Sequence, residues 1–333
     1  MSVSTLAAVN LLYFGKIPSR GDFIRSASST ALIKLMDRWV SQGLEALAQD
    51  AHWKALYDQA PPVHFAFLSL GSAHGLAGHL LPSADQSGRR FPLVTAGAFD
   101  VGQPQAFMRR APLVVQPLWA ELAQISRRLH DVNDPAPLLQ ELSLRSRELD
   151  TDPRRHDAGF NDFLDVQTVG GVQDLLRDAG HDVDLRLSLL GLGLLLESVP
   201  ARGQQPIDKG LCLPLPAQPE AQMAVAAWWL DLVSRFLKHR TDLELSVYLP
   251  QSAGAVPCPV LFLGFSGGAA VHFSALFDPR TVPAAFVDIR RSAWAEAHAE
   301  ASYGARKLSS YLRQPQLSLR QAHRTFCEAF LGE

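Results

Sequence analysis

The sequence predicts an α/β fold, a layered α/β/α sandwich on a mixed sheet with additional C-terminal helices. Three observations predict it. Runs with strand character, Leu11–Phe14, Val63–Leu70 and Leu76–Leu81, alternate with stretches of helical period. The Gly-rich link Gly71–Gly75 joins two of those runs as a hairpin, which puts antiparallel pairs into a sheet that helices must cover. The chain has 333 residues, 47% hydrophobic and 19% charged, enough to bury a large core in about two domains.

Leu11–Phe14 reads as a strand that stops at Gly15. Pro18 then fixes φ, Gly21 offers a position for φ > 0, and Asp22 is placed to cap a following helical turn. Ser28, Ser29 and Thr30 are N-cap candidates for an amphipathic helix whose apolar stripe is Leu32, Leu35, Met36, Trp39, Val40, Gly43 and Leu47. A short helix carries Trp53, Leu56 and Tyr57 on one face. Pro61 and Pro62 force an extended entry into Val63–Leu70, and after the hairpin Pro82–Leu93 forms a turn-rich link into a strand over Phe91–Phe99. From Pro104 the period is helical, with Leu118, Leu122, Ile125 and Leu129 inward and Arg127 and Arg128 solvated. A further helix covers Leu138–Leu149.

Asn133–Pro137 and Asp150–Asp157 are polar breaks, and the domain boundary lies between Asn133 and Asp157. This gives an α/β domain over 1–135 and a C-terminal α/β region over 136–333, ending in two helices and packed on the first. Phe160–Ala179 reads as helix. Asp184–Ser198 is apolar all round, so its period leaves helix and strand open. Ala201–Lys209 is loop. Glu220–His239 is a helix with Met223, Ala227, Leu230, Val233 and Leu237 inward, and of Trp228 and Trp229 one ring is core and the other partly exposed. Leu243–Leu249 and Pro259–Phe265 are strands, Ala269–Phe277 is short and ambiguous, and Ser292–Arg313 and Ser318–Leu331 are closing helices.

The net charge of −2 argues against a nucleic-acid partner held by a general field. Cys212, Cys258 and Cys327 are sparse and lack C-x-x-C spacing, as in a reduced cytosolic protein. Met1–Phe14 has no basic segment of a signal peptide, and Leu187–Leu196 is about half the length that spans a bilayer. A cytoplasmic protein without membrane insertion is expected.

Four constellations bear on chemistry. Gly264-Phe265-Ser266-Gly267-Gly268 satisfies G-x-S-x-G after an apolar strand, and Asp288 and His323 follow in the order of a hydrolase triad. A plain strand-to-helix turn explains the same letters, and no run of parallel strands or oxyanion-hole loop precedes it. His64, His74 and His79 lie on one hairpin but lack Cys or carboxylate partners at ligand spacing, so they read as half-exposed sheet residues and no metal is assigned. GKIPS lacks the P-loop spacing, and no cofactor motif is present.

The fourth constellation is the pair of loops GKIPSRGDFIR (15–25) and PSADQSGRRFPL (82–93). They carry Lys16, Arg20, Asp22 and Arg25 in one, and Ser83, Asp85, Arg89 and Arg90 in the other. Arg20, Asp22, Asp85 and Arg89 are expected to pair and lock the turns, with Arg89 bridging to Asp22 across the gap or to Asp85 in its own turn. The same residues and Arg25 and Ser83 are candidates for a recognition surface, since fixed loops serve both roles.

These loops, with Trp39, HWKALY and PPVHFAF between them in that order, resemble the N-terminal domain of the TagF (ImpM) family over residues 10–95. Leu245–Leu249 and Pro259–Phe277 resemble the family's closing strand, strand and helix. They depart from it at Val247-Tyr248, where a Trp pair is expected, and at GFSGG, where Gly-Leu-Pro is expected. The resemblance implies helices on both sides of a central sheet and a non-enzymatic cytoplasmic repressor of type VI secretion. Such a repressor acts after translation by holding a forkhead-associated scaffold component, beside a Thr kinase–phosphatase pathway. A serine hydrolase built on Ser266 is the alternative.

Overall fold

The structure, a computed structural model, describes residues 6–27, 29–144, 147–200, 203, 205–251, 258–300 and 302–332. Strands β1 (Leu6–Ala8), β2 (Asn10–Gly15) and β3 (Ile24–Arg25) precede helices α1 (Thr30–Leu47) and α2 (Trp53–Gln59) and a meander of β4 (Val63–Ser69), β5 (His74–Leu81) and β6 (Leu93–Asp100). Next come α3 (Pro104–Asp131), α4 (Ala136–Leu144), β7 (Glu148–Asp150), α5 (Arg154–Val166), α6 (Val169–Asp178) and α7 (Leu185–Leu196). The chain then returns to the sheet with β8 (Gly210–Pro214), α8 (Pro219–Phe236), β9 (Glu244–Pro250), β10 (Val260–Gly264) and α9 (Ala270–Phe277). It closes with α10 (Val282–Ala285), β11 (Phe286–Asp288), α11 (Tyr303–Leu312) and α12 (Leu319–Leu331).

Nine strands form one sheet in the order β11-β8-β10-β9-β4-β5-β6-β2-β3. Its pairs are antiparallel except β11 with β8, which makes the sheet mixed. The central pairing, β4 with β9, runs from Val63↔Pro250 to Ser69↔Glu244, so strands from both ends of the chain share the sheet. Alternation along the strands sorts side chains to two cores. Ala66, Leu68, Val247 and Leu249 face a layer that includes α3, α7, α8 and α12, whereas Phe65, Tyr248 and Phe262 face α1 and α9. The fold is the α/β/α sandwich that the sequence predicts.

Several local readings change. In α1 the buried set is Ile33, Met36, Trp39, Val40, Gly43 and Leu47, while Leu35 turns outward at 59% exposure. Ser29 sits at the N-cap with φ 58° and no side-chain cap bond, and Ser28 lies outside the described residues. The helix expected over 138–149 ends at Leu144, and Glu148–Asp150 instead pairs with β1. Phe160–Ala179 is split at Gln167, with Thr168 capping α6 through Gly171 N at 3.0 Å. The helix expected from Ser292 begins as a 3-10 segment, Ala293–His298, and α11 starts at Tyr303. Trp228 and Trp229 are both fully buried, because α8 is covered by the sheet on one side and by α3 and α12 on others. No helix among the described residues is long and apolar enough to cross a membrane.

Candidate functional site

The two charged loops meet at the end of the sheet where β2, β3, β5 and β6 come together. Gly15 ends β2 with φ 133°, where a Cβ would run into the carbonyl of Pro92, so the left-handed backbone expected at Gly21 sits at Gly15 instead. Ile17 behind it is fully buried. In the second loop Gly88 N donates to Asp85 O at 2.8 Å and Asp85 N to Arg89 O at 3.1 Å, which closes the tight turn. Ser83 is fixed by Tyr57: its amide donates to the Tyr57 hydroxyl at 3.0 Å, and that hydroxyl donates to the Ser83 carbonyl at 2.9 Å.

Asp85 is the node. Its buried carboxylate accepts the amides of Ser87 (2.9 Å) and Arg89 (3.0 Å), Arg89 Nε (2.7 Å) and, from the other loop, Lys16 Nζ (3.0 Å). Burial alone pushes such a carboxyl up. Here the hydrogen bonds from the Arg89 amide, the two cations and the Ser87 amide outweigh it and hold the pKa well below the ordinary range. Backbone bonds seal the junction: Gln86 N donates to Arg20 O at 2.9 Å, and Arg89 Nη2 to Gly21 O at 2.6 Å.

The expected pairings are therefore partly replaced. Arg89 takes Asp85 and reaches the first loop through a carbonyl, not through Asp22. The Asp22 carboxylate accepts the amide of Phe23 at 2.7 Å and caps no helix, since β3 follows directly. Arg20 pairs with Asp134 at 3.1 Å, and Arg90 grips Asp58 bidentately at 2.7 and 2.5 Å. Lys16 is the partner that bridges the loops, because its stem is buried and only a carboxylate at Asp85 can meet its ammonium there. Phe23 packs edge-on against Phe91 at 4.9 Å and under the Lys16 ammonium at 5.1 Å, yet stays 46% exposed. Arg25, on β3, is also exposed.

Asp85→Ala is expected to lower the melting temperature, since two amides and the buried Lys16 lose their acceptor together. Asp22→Ala should leave it unchanged. In double-mutant cycles Lys16 and Asp85 should couple, while Asp22 and Arg89 should add independently. Coupling between Asp22 and Arg89 in urea unfolding would contradict the geometry.

The hydrolase constellation does not assemble. Ser266 is exposed in the turn after β10. Asp288 is held by Arg290 through two bonds of 2.8 Å. His323 lies among the helices of the opposite layer, with Nε2 3.1 Å from Asp231 Oδ2. Asp231, 2% exposed, also takes Arg110 at 3.2 Å and Arg235 at 3.1 Å, a junction of α3, α8 and α12 that no local pattern announces. Burial raises the Asp231 pKa, but His323 and the two guanidinium groups hold it below the usual range. Asp231→Ala, which removes the buried acceptor that Arg110, Arg235 and His323 share, is expected to cost about 3 kcal/mol in chemical unfolding. A change under 1 kcal/mol would show that their other contacts, such as Arg110 with Asp157, suffice.

The hairpin histidines are not half-exposed as a group. His64 and His79 are buried with their Nδ1 atoms 3.1 Å apart, one donating and one accepting, and His64 stacks on Trp119. Only His74 is exposed, with Asp100 at 2.7 Å. Among the described residues no group of three His, Cys, Asp or Glu gathers as a metal site. A groove of about 470 Å³ opens along the outer edge of β2, lined by Leu11, Tyr13, Ser26, Leu122, Ile125 and Leu142 among others. Its polar side chains are the Asn10 amide and hydroxyls, that of Tyr13 among them.

Residues 13–144, which contain both loops, match the TagF N-terminal domain, described as type VI secretion system-associated. No curated protein matches the chain. Among solved structures it is similar to the crystal structure of PA0076 from Pseudomonas aeruginosa PAO1, at 16% identity and a TM-score of 0.42, over 81% of this chain and 94% of that one.

Proposed function

We propose that this chain, whose residues 13–144 match the type VI secretion system-associated TagF N-terminal domain, is a non-enzymatic regulator of that secretion system. It acts in the cytoplasm after translation, restrains the apparatus by binding a forkhead-associated scaffold component, and works beside a Thr kinase–phosphatase pathway. The observation that supports a binding role is the locked loop pair. Asp85 consumes the charges that fix the turns, and the fixed turns present Phe23 and Arg25 outward. An exposed aromatic ring on a rigid, ion-paired base loses little entropy on binding, the property of an interface anchor. The dispersed positions of Ser266, Asp288 and His323 favour this reading over the hydrolase.

The test uses the purified full chain and the forkhead-associated component of the same secretion system. Binding is expected, and Phe23→Ser should weaken it at least about tenfold with an unchanged melting temperature. Wild-type protein that does not bind would remove the scaffold from the reading. A Phe23→Ser variant that binds normally would move the contact face elsewhere. Fluorophosphonate labelling that disappears in Ser266→Ala would replace the regulator by the hydrolase.

A further inference from the structure

We propose that the outward face of α11 is a docking surface for an acidic segment of a partner protein, gripped by Tyr303, Tyr311, Arg306 and Lys307. The face lies beyond the matched segment 13–144, on other elements than the two charged loops. Ala305, Leu308, Ser309 and Leu312 of α11 are buried. On the opposite side Tyr303, Arg306, Lys307, Ser310 and Tyr311 follow the i, i+3, i+4, i+7, i+8 spacing of a single helix face. A helix side turned to water ordinarily carries charges and small polar groups. This one carries two phenol rings, Tyr303 at 74% and Tyr311 at 43% exposure.

Rings and cations form one patch. Lys307 stands one helical turn from each tyrosine, and its ammonium lies 6.0 Å from the Tyr311 ring centroid. The Arg306 guanidinium lies 6.0 Å from the Tyr303 ring centroid. The base beneath them is rigid. Ser302 caps α11 through the Ala305 amide at 3.1 Å. Gly304 brings α11 so close to α12 that a Cβ there would meet the Ala329 carbonyl oxygen at 2.8 Å. Aromatic rings on a fixed base lose little entropy on binding, and Tyr and Arg are the residues that anchor interfaces.

The charge around the rings selects the partner. Residues 303–333 hold five Lys and Arg against two Glu, in a chain with 31 Lys and Arg against 33 Asp and Glu. Two of the acids beside the patch are shared between cations. Glu328 takes Lys307 at 2.8 Å and Arg324 at 3.0 Å, and Glu296 takes Arg186 and, at 3.6 Å, Arg313. Glu300 reaches Arg306 only at 3.8 Å. Cations outnumber acids here, and such exposed pairs are worth little, so they yield to a better-placed carboxylate. Asp or Glu with apolar groups between them supplies both halves of the contact, carboxylates for the cations and apolar area for the rings. The net charge of −2 disfavours nucleic acid, and the stripe lacks the Leu, Phe or Trp that an interfacial helix buries in lipid.

The test uses the full chain and a fluorescein-labelled peptide of repeating Glu-Glu-Leu, with its Gln-Gln-Leu counterpart as control. Expected is saturable binding of the acidic peptide alone. It should weaken at least about tenfold when Tyr303→Ser and Tyr311→Ser are combined, and again when Arg306→Gln and Lys307→Gln are combined. Leu35→Ser, at an exposed apolar position on α1, should leave it unchanged. Absence of binding, equal binding of the Gln peptide, or binding that survives both double variants would overturn the proposal. Binding of phosphatidylglycerol vesicles or single-stranded DNA that depends on the same four residues would overturn it too, by assigning the face to another partner. Should a double variant fail to fold, Tyr303→Ser alone, at the more exposed ring, still decides.

Discussion

Trp39→Ala is expected to destabilise the protein by about 4 kcal/mol in chemical unfolding. The indole is 5% exposed and lies where α1, the sheet and α9 meet. Phe65 and Phe67 approach it at 5.2 and 5.1 Å, Phe273 at 5.3 Å and Tyr248 at 6.3 Å between ring centroids. Those rings come from three separate elements and are held by their own packing, so they cannot all move inward to fill the space. The cavity contribution therefore adds to the lost transfer energy instead of relaxing away. A loss under 1 kcal/mol would mean that α1 collapses onto the sheet, and a Trp39→Phe variant should recover most of the difference.

Trp39 also marks what the sequence makes legible. Its stripe on α1 was visible because a helix period needs only neighbours within two turns, and Met36, Trp39, Val40 and Gly43 keep it. Leu35 is not separable from the buried stripe by sequence, because apolar residues occupy most of Leu32–Met36 and composition alone does not say which of them faces the sheet. The helix Leu185–Leu196 was ambiguous for the same reason, although a cap signal existed: Asp184 accepts from Leu187 N at 3.2 Å. Strands β8 and β11 have no signature in the sequence, since five and three residues carry almost no period, and both are specified by a partner far along the chain.

The loops divide in the same way. Asp85 and Arg89, four residues apart, were readable as a local turn. The Lys16–Asp85 bridge, the Arg20–Asp134 pair and the reach of Arg89 to a backbone carbonyl depend on where distant turns arrive. His323 reads as a triad member by chain order, whereas the fold gives it to Asp231, a residue that looks like an ordinary solvated position on α8. Non-local charge pairing has no signature in spacing, and that is where the candidate site was least legible.

Stability is expected to fall steeply as pH drops from about 6.5 to about 4.5, before carboxylates contribute. Burial pushes the folded-state pKa of His64 to about 3, and of His79 and His272 to about 4. His156 and His181 move in the same direction, again by burial. In the unfolded chain each histidine titrates near pH 6.5. Below that value the unfolded chain binds protons that the folded chain refuses, so protonation favours unfolding and stability rises with pH across the window. Three fully buried histidines give a slope of about 4 kcal/mol per pH unit in its middle. The depressed carboxyls of Asp85 and Asp231 work in the same sense, but only below about pH 4, where the unfolded carboxylates take up protons. Urea midpoints measured from pH 7.5 to 4.5 isolate the histidines, because their loss begins near pH 6.5 and continues down to the folded pKa values of about 3 to 4, whereas the carboxylate loss joins it only below that range of measurement. A flat profile down to pH 5 would mean that the folded protein accepts these protons. That outcome would also overturn the dry, neutral contact between His64 and His79, since protonating both rings would break the hydrogen bond they share.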